Sequence, residues 1–224
     1  MAALATGVGS VWLQGQQGSP RAVLVESPLV PGEPRGFGSA EALLDLLSVA
    51  GGWSCVEVDA GLAEAMSAEF DRRWTLVRTV IDVVHRLDQP VEVRTHPLVR
   101  ELTPAEARSL SQASEDLFPD RGVVVTAAGA GRVFAAIDGG VIVGHGGSMA
   151  TGRSLADVGV HVVEEYRRQG IATAAASLAC QALQTAGLTP IWGTGSHNAA
   201  SLRVAAKLGF VEVARLTYLV RAHG

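Results

Sequence analysis

The sequence has few cysteines, few aromatic residues and no excess of positive charge. Its two cysteines in 224 residues, Cys55 and Cys180, lie outside any CxxC or Cys/His spacing, which argues against a disulfide framework and a structural zinc site. Eighteen Lys and Arg stand against 22 Asp and Glu, a formal charge of −4, so no broad basic field is available to bind nucleic acid. We therefore expect neither a metal nor a nucleic-acid partner.

Long apolar runs are also absent. The segment that comes closest to the span of about 18 residues that a membrane helix needs, residues 122–150, is broken by glycines and carries Arg132, Asp138 and His145. Residues 1–17 contain no Lys or Arg and so lack the basic start of a signal peptide. We expect a cytoplasmic protein without a membrane partner.

What the chain does have is enough apolar sequence for a packed core, with 48% hydrophobic residues. In the first part, short strands at 11–13, 22–26 and 53–58 alternate with helices that follow the capping residues Ser39 and Asp59. Residues 74–85 fit either a strand or a helix. We predict an N-terminal α/β region over residues 1–90.

A second domain is predicted over residues 91–224. It opens with Thr103-Pro104 and with Glu106 three residues after the threonine, which is the pattern of a capped helix start. Asp138-Gly139-Gly140 predicts a tight hairpin. The pattern predicts strands at 123–126, 132–137, 141–144, 155–162, 190–193 and 210–221, and helices at 170–185 and 199–208.

The predicted strand at 155–162 leads through a basic, glycine-containing turn into an alanine-rich helix. Amides at the start of a helix point outward and carry partial positive charge, so this turn can bind a diphosphate through its backbone. Gly170 and Ala172 keep the approach open, and Arg167 and Arg168 add charged donors. The same pattern is also compatible with an ordinary solvated helix start.

Two motifs give the turn a more specific interpretation. Residues 167–172 read Arg-Arg-Gln-Gly-Ile-Ala, and Asn198 opens a short helix that ends in Lys207-Leu208-Gly209-Phe210. With these motifs in this order, the sequence resembles the GNAT superfamily of acyl-CoA-dependent N-acetyltransferases over residues 97–221. Residues 1–90 match none of the family's motifs, and their alternation of strands and helices suggests an N-terminal extension or a degenerate half of the same fold.

The resemblance implies an α+β fold, with a central, mostly antiparallel sheet flanked by helices. It implies acetyl-CoA as cofactor and transfer of its acetyl group to a primary amine of a small molecule or peptide, by direct attack in a ternary complex. A homodimer is compatible with the strand edges of such a fold, and residues 21–90 are expected to cover the acceptor side. The cofactor-binding residues that it implies are Val160, His161, Val162, Arg167, Arg168, Gln169, Gly170, Ile171, Ala172, Thr173, Asn198 and Ser201.

The sequence does not single out one general acid or one general base for the transfer. The position where many family members carry an acidic tyrosine holds Ala205 here, which leaves Ser201, Tyr218 or water as the acid. Strand alternation places Asp157 and His161 on one face as candidate bases, alongside the alternative that both have only structural roles. His197, on the loop before the last helix, is a third candidate.

Two other functions compete with acetyl transfer. The missing tyrosine at Ala205 is compatible with a catalytically weak or inactive module that only binds acyl-CoA. A nicotinamide-dependent oxidoreductase is disfavoured, because Gly193-Thr194-Gly195 lacks the third glycine and the acidic residue of a dinucleotide fingerprint.

Overall fold

A computed structural model of the protein describes residues 2–6, 9–16, 18–28, 30–109, 121–148 and 150–222. The chain forms two compact units, Met1–Val83 together with Arg215–Gly224, and Val84–Ala214. The expected domain boundary between residues 90 and 91 stays a prediction. None of the helices in the described ranges is long and apolar enough to cross a membrane.

The first unit is a sheet with two helices. Its elements are β1 (Ala2–Thr6), β2 (Gly9–Gln16), β3 (Ser19–Glu26), β4 (Arg35–Gly38), α1 (Ala40–Ala50), β5 (Cys55–Val58), α2 (Ala60–Trp74) and β6 (Leu76–Arg86). Its strands follow one another in the order β1-β2-β3-β4-β5-β13-β6, where β13 (Val211–Arg221) is the last strand of the chain. Residues of α1 and α2 such as Leu43, Leu47 and Phe70 pack with Leu24 and Val56 in one buried cluster.

Both helices of this unit begin directly after the capping residues that the sequence predicts. The Asp59 carboxylate accepts from the amide of Leu62 at 2.9 Å and caps α2, as predicted. Ser39 occupies the capping position of α1, although its hydroxyl makes no capping bond. The ambiguous segment at 74–85 is a strand from Leu76 onward.

The second unit holds the remaining elements. They are β7 (Val99–Glu101), α3 (Pro104–Arg108), α4 (Arg121–Gly129), β8 (Val133–Asp138), β9 (Val141–Gly147), β10 (Leu155–Asp157), β11 (Gly159–Val162), a 3₁₀ turn (Glu164–Tyr166), α5 (Ile171–Thr185), β12 (Thr189–Gly195) and α6 (Ala199–Lys207). An antiparallel sheet has the order β11-β9-β8-β7, and β10 pairs in parallel with β12. The mostly antiparallel sheet flanked by helices is thereby confirmed.

Two sequence predictions in this unit, the capped helix start and the tight hairpin, are confirmed by the local geometry. Thr103 and Glu106 form a reciprocal capping box at the start of α3, with Pro104 in the first turn. Gly139 and Gly140 have φ angles of 54° and 83°, the two positive values that a type I′ hairpin turn requires. Cys180 is fully buried, and this burial raises the pKa of its thiol to about 12, so it is unreactive.

One prediction is wrong: residues 123–126 are part of helix α4 and not a strand. The run of β-branched residues favours a strand locally, but Val124, Ala127 and Ala128 recur at helical spacing and are all buried. They pack with Leu102 and Val133 in one cluster. Burial of this stripe outweighs the weak intrinsic preference of the valines.

Helices lie on both faces of the antiparallel sheet. A Cβ atom on Gly146 of β9 would lie 2.7 Å from the amide nitrogen of Ala176, so α5 packs directly on this glycine. On the opposite face, α3 and α4 pack on Val133 and Ala135 of β8. Because side chains alternate along a strand, His145, the neighbour of Gly146, faces away from α5.

Candidate functional site

A fork between two parallel strands forms the centre of the site. Strands β10 and β12 pair in parallel as far as Asp157 and Ile191. The amide of Val158 then donates to the carbonyl of Ile191 at 2.8 Å, and beyond this bond β11 pairs with β9 instead. The strand predicted as one element at 155–162 is therefore two, with different partners, and a gap opens between β11 and β12.

The fork exposes backbone groups of β11 along its open edge. The amide of Val163 donates to the carbonyl of Val143 at 3.0 Å. Alternate residues of an antiparallel strand bond to the same neighbour, so the backbone of His161 also faces β9. Val160 and Val162 therefore face the gap, where the Arg167 side chain donates from Nε to the Val162 carbonyl at 3.1 Å.

The turn after β11 presents a row of amides at the start of α5. The first helical bond runs from the amide of Ala174 to the carbonyl of Gly170 at 3.0 Å. Within the described parts of the chain, no acceptor lies opposite the amides of residues 168–173. Residues 167–170 are exposed, and the helix directs its positive end toward them. This arrangement suits a phosphate or diphosphate group.

Two residues with backbone angles in the left-handed region give the turn its shape. Arg168 has φ 64° and Gly170 has φ 92°, and a Cβ atom on Gly170 would touch nothing within 4 Å. The glycine is thus required for its backbone angle and not for space. Alternation of left-handed and other conformations points successive amides to one side, which is how backbone nests bind anions.

Side chains outside the amide row hold the turn in place. The Tyr166 hydroxyl donates to the Asp138 carboxylate at 2.7 Å, which ties the turn to the β8–β9 hairpin. This bond raises the pKa of Tyr166. Gln169 donates from its side chain to the Glu165 carbonyl at 3.2 Å. The turn is therefore held in a fixed shape by its own residues.

Helix α6 begins at the far side of the fork. The Asn198 side-chain oxygen accepts from the Ser201 amide at 3.1 Å and caps the helix. The Trp192 indole donates to the Ser201 hydroxyl oxygen at 3.0 Å, so the residue predicted as an acid has a defined partner. Ala205 is fully buried in the same cluster as Trp192.

The two candidate bases have different surroundings. The Asp157 carboxylate accepts from the Ala150 amide at 2.8 Å and from the Ser148 hydroxyl at 3.3 Å, which is the structural role anticipated for it. His161 is exposed, and its ring lies nearly parallel to that of its cross-strand neighbour His145, with centroids 6.4 Å apart. Both residues are exposed, so they differ in their partners and not in their accessibility.

The remaining sequence candidates do not join this cluster. Tyr218 lies in the first unit, where its hydroxyl donates to Glu57 at 3.1 Å and burial raises its pKa further above the usual value, which makes it a weaker acid. His197 is exposed on the loop before α6. Over the ranges that the structure describes, no group of His, Cys, Asp and Glu side chains could hold a metal.

Sequence reasoning missed the partners of these residues. Trp192 belongs to no motif of the sequence, and Asp138 is predicted only as part of a hairpin turn. Neither contact follows a fixed spacing, because Trp192 and Ser201 belong to different elements and the three strands β9, β10 and β11 lie between Asp138 and Tyr166. The one available signal was chemical: a buried indole needs an acceptor for its N–H group.

Comparisons with known proteins found a matching family model and solved structures of similar fold. A family model described as GNAT acetyltransferase matches residues 105–219, just over half of the chain. No curated protein matches the sequence.

Several solved structures resemble nearly the whole chain. A GCN5-related N-acetyltransferase-like protein from Streptococcus suis is 18% identical, with a TM-score of 0.69 over 96% of this chain and 89% of its own. An acetyltransferase of the GNAT family from Colwellia psychrerythraea is 15% identical, with a TM-score of 0.64 over 96% and 86%. A GCN5-related N-acetyltransferase from Kribbella flavida is 15% identical, with a TM-score of 0.61 over 100% and 90%. These likenesses show the fold.

Proposed function

The chain belongs to the GNAT acetyltransferase family, and we propose that it transfers the acetyl group of acetyl-CoA to a primary amine of a small molecule or peptide by direct attack in a ternary complex. The observation that carries this proposal is the exposed amide row of residues 168–173 beside the open edge of β11. Acetyl-CoA carries a diphosphate, which can bind to the amide row. It also carries a pantetheine arm with amide groups, which can pair with the open edge of β11.

The residues present fit such a cofactor. The turn would hold the two phosphates through backbone amides, supported by the exposed Arg168. The backbone of Val160 and Val162 would pair with the pantetheine arm as with a further strand. The Arg167 side chain, which donates to the Val162 carbonyl, would then either move away from this carbonyl or bind to it together with the arm. The residues proposed to contact the cofactor are Val160, His161, Val162, Arg167, Arg168, Gln169, Gly170, Ile171, Ala172, Thr173, Asn198 and Ser201.

Acetyl-CoA would supply an activated thioester at the fork. The Val160 amide faces the gap and would donate to the acetyl oxygen as negative charge develops there. An alkyl amine with a pKa near 10 is about one part in a thousand neutral at pH 7, so the acceptor must lose a proton before it attacks. His161 is proposed as the base because, although both residues are exposed, the Asp157 carboxylate already accepts hydrogen bonds from Ala150 and Ser148.

A module that binds acyl-CoA without turnover is the second candidate. The observation that favours it is Ala205, which is fully buried and puts a methyl group where many family members have a tyrosine hydroxyl. The two candidates predict the same cofactor binding and differ only in thiol release.

Calorimetry with acetyl-CoA, followed by an assay for free thiol with a panel of primary amines, tests both. Heat of binding together with amine-dependent thiol release supports the acetyltransferase. Binding without release for any amine favours the binding module. If neither acetyl-CoA nor CoA binds to the protein, both proposals are contradicted.

A further inference from the structure

Both strands of the fork carry a glycine directly past the last bond that joins them. Strands β10 and β12 pair at a constant offset, with Asp157 opposite Ile191. The same offset places Gly159 opposite Gly193, beyond the bond from the Val158 amide to the Ile191 carbonyl. Both glycines are exposed. The two sides of the opening therefore carry no side chain where the strands begin to separate.

Packing shows which face of the sheet these glycines are on. Val158 and Trp192 lie in one buried cluster with residues of α5, and Val160 packs against the same cluster. The alternation of side chains thus continues past the fork. Gly159 and Gly193 directly follow Val158 and Trp192, so both face away from α5.

The fold itself does not require glycine at either position. Neither Gly159 nor Gly193 has a φ angle in the left-handed region. A Cβ atom on either one would meet nothing within 4 Å among the residues that the structure describes. Gly146 of β9 differs, because a Cβ atom there would lie 2.7 Å from the amide nitrogen of Ala176. A glycine inside a strand without such a constraint is typical of a place where a ligand approaches the backbone closely.

The fork also determines the side from which an amine can reach the thioester. In the proposed function, the acetyl oxygen would lie at the Val160 amide. The α5 side of this point is filled by Val158 and Trp192, which are 4% and 1% exposed. The amine would therefore approach from the opposite face, between the two glycines, where His161 is also exposed.

The two absent side chains decide how much of the acceptor fits beside its nitrogen. Paired strands lie about 4.8 Å apart, and two carbon atoms in contact need about 3.5–4.0 Å between their centres. Methyl groups on both sides, at the first position past the last bond, would leave no room for a carbon that bears two substituents. With glycine on both sides, such a carbon can enter the opening.

We propose that Gly159 and Gly193 are specificity-determining residues, and that they select acceptors whose amino group is on a branched carbon, one bonded to two further carbon atoms. The inference rests on the proposed function and narrows its acceptor to α-branched primary amines. The nitrogen has to come within about 3–3.5 Å of the acetyl carbon, so the substituents of its own carbon enter the opening with it. A linear amine also fits, but it leaves part of the opening unfilled and makes fewer contacts.

Two conjugates of coenzyme A test this inference by calorimetry. In each, the sulfur carries a CH₂–CO–NH group that ends in a butyl chain, attached through its first carbon in the linear conjugate and through its second carbon in the branched one. The two ligands differ only in the branching next to the nitrogen. We expect the wild-type protein to bind the branched conjugate at least as tightly as the linear one.

Gly159→Ala and Gly193→Ala each place one methyl group at the opening. We expect each to weaken binding of the branched conjugate about tenfold relative to the linear one, which is the loss that one carbon too many causes in a fitted site, and to leave the affinity for CoA unchanged. The double variant should lose more than the two single losses multiplied, because each single variant still has one bare side. The melting temperature should not fall, since alanine suits such a strand position at least as well as glycine.

Gly129→Ala is the matched control. Gly129 is exposed at the end of α4, and its φ angle is outside the left-handed region. A Cβ atom on it would meet only Cγ of Pro104, at 3.9 Å. This variant should bind both conjugates with the wild-type affinities, and a change in their ratio here would show that the effect does not come from the fork.

The outcomes separate this inference from the function on which it rests. If CoA binds but the ratio of the two conjugate affinities is the same in every variant, the glycines do not select the acceptor, and the inference is wrong while the cofactor site stands. If the alanine variants weaken CoA as much as the conjugates, they disturb the cofactor site and the inference is likewise overturned. Wild-type protein that binds the linear conjugate more than tenfold tighter contradicts the branched class. If CoA fails to bind the wild-type protein, the proposed function fails and this inference with it.

Discussion

The amide of Val158 donates to the carbonyl of Ile191 at 2.8 Å, and this is the last bond that joins the two parallel strands. One residue later the chain belongs to β11 and pairs with β9. Because a strand can bond to only one neighbour on each side, this change of partner leaves the backbone of Val160 and Val162 facing a gap. The proposed cofactor site thus lies where the chain changes its strand partner between β10 and β11.

Gly170→Ala tests whether the shape of the turn matters for binding. A Cβ at this position meets no atom, but the φ angle of 92° is unfavourable for an L-residue by about 1 kcal/mol. We expect the turn to relax toward negative φ and to move its amides, weakening CoA binding about tenfold or more in calorimetry.

Gly187→Ala is the matched control for this change. Gly187 follows α5 and has φ 76°, and a Cβ atom on it would likewise meet nothing within 4 Å. Both substitutions should lower the melting temperature by a similar amount, and only Gly170→Ala should weaken the affinity for CoA. Equal affinity in the two variants would show that the turn does not bind the phosphates.

Tyr166→Phe removes the hydroxyl that ties the turn to Asp138. The bond is at the surface, so we expect a fall in CoA affinity of only about threefold to tenfold, measured by calorimetry. Asp138→Ala should give the same fall, and the double variant no more than either alone. Because the pKa of Tyr166 is raised, the bond should persist at neutral pH and be lost only above the ordinary tyrosine range, near 10. Additive losses would contradict a role for this pair as a unit.

His161→Gln tests the proposed base. We expect kcat to fall about 10²-fold with little change in the affinity for acetyl-CoA, because the substitution leaves the backbone of β11, which would pair with the pantetheine arm, unchanged. His197→Gln, in which the exposed loop histidine is changed, should retain its activity. A loss of activity in the His197 variant alone would move the base to that loop.

Asp157→Ala should affect folding more than chemistry. The carboxylate accepts from Ala150 and from Ser148, whose side chain is buried, so removing it should lower the free energy of unfolding by about 1 kcal/mol in urea denaturation. Asp157→Asn keeps an oxygen acceptor and should retain turnover. A large drop in kcat for the asparagine variant, at unchanged stability, would assign the base to Asp157 instead.

Glu106 should give the protein a measurable acid dependence. Hydrogen bonds from Arg100 and Thr103 lower its pKa to about 2, so its contribution to stability is complete above about pH 4.5 and is lost as the pH falls toward 2. Both side chains of the ion pair are partly exposed, which limits the effect to less than about 1 kcal/mol. The melting temperatures of wild type and Glu106→Gln should therefore differ at pH 6 and converge near pH 2.

Glu64, a carboxyl group at the surface, provides the control for the pH dependence of the melting temperature. Glu64→Gln changes an exposed residue of α2 and should shift the melting temperature little at any pH. If the Glu106 variant follows the same curve as the Glu64 variant, the capping box contributes nothing measurable to stability.

Features that depend on neighbouring residues were predictable from the sequence. The caps at Asp59 and Thr103, the hairpin at Gly139-Gly140 and the turn before α5 all follow from residues within a few positions of one another. The helix at 121–129 was not predictable in this way. Its valines favour a strand, and only contacts with Leu102 and Val133 decide the outcome.

The sequence by itself determined the amide-rich turn, because glycine at 170 and the start of an alanine-rich helix impose that geometry locally. Only the tertiary structure decided where β10 ends and β11 begins, that Ser201 meets Trp192, and that Asp157 is held by Ala150. Those contacts join residues whose separation along the chain carries no periodic signal. They depend instead on which surfaces the strands and helices bury together.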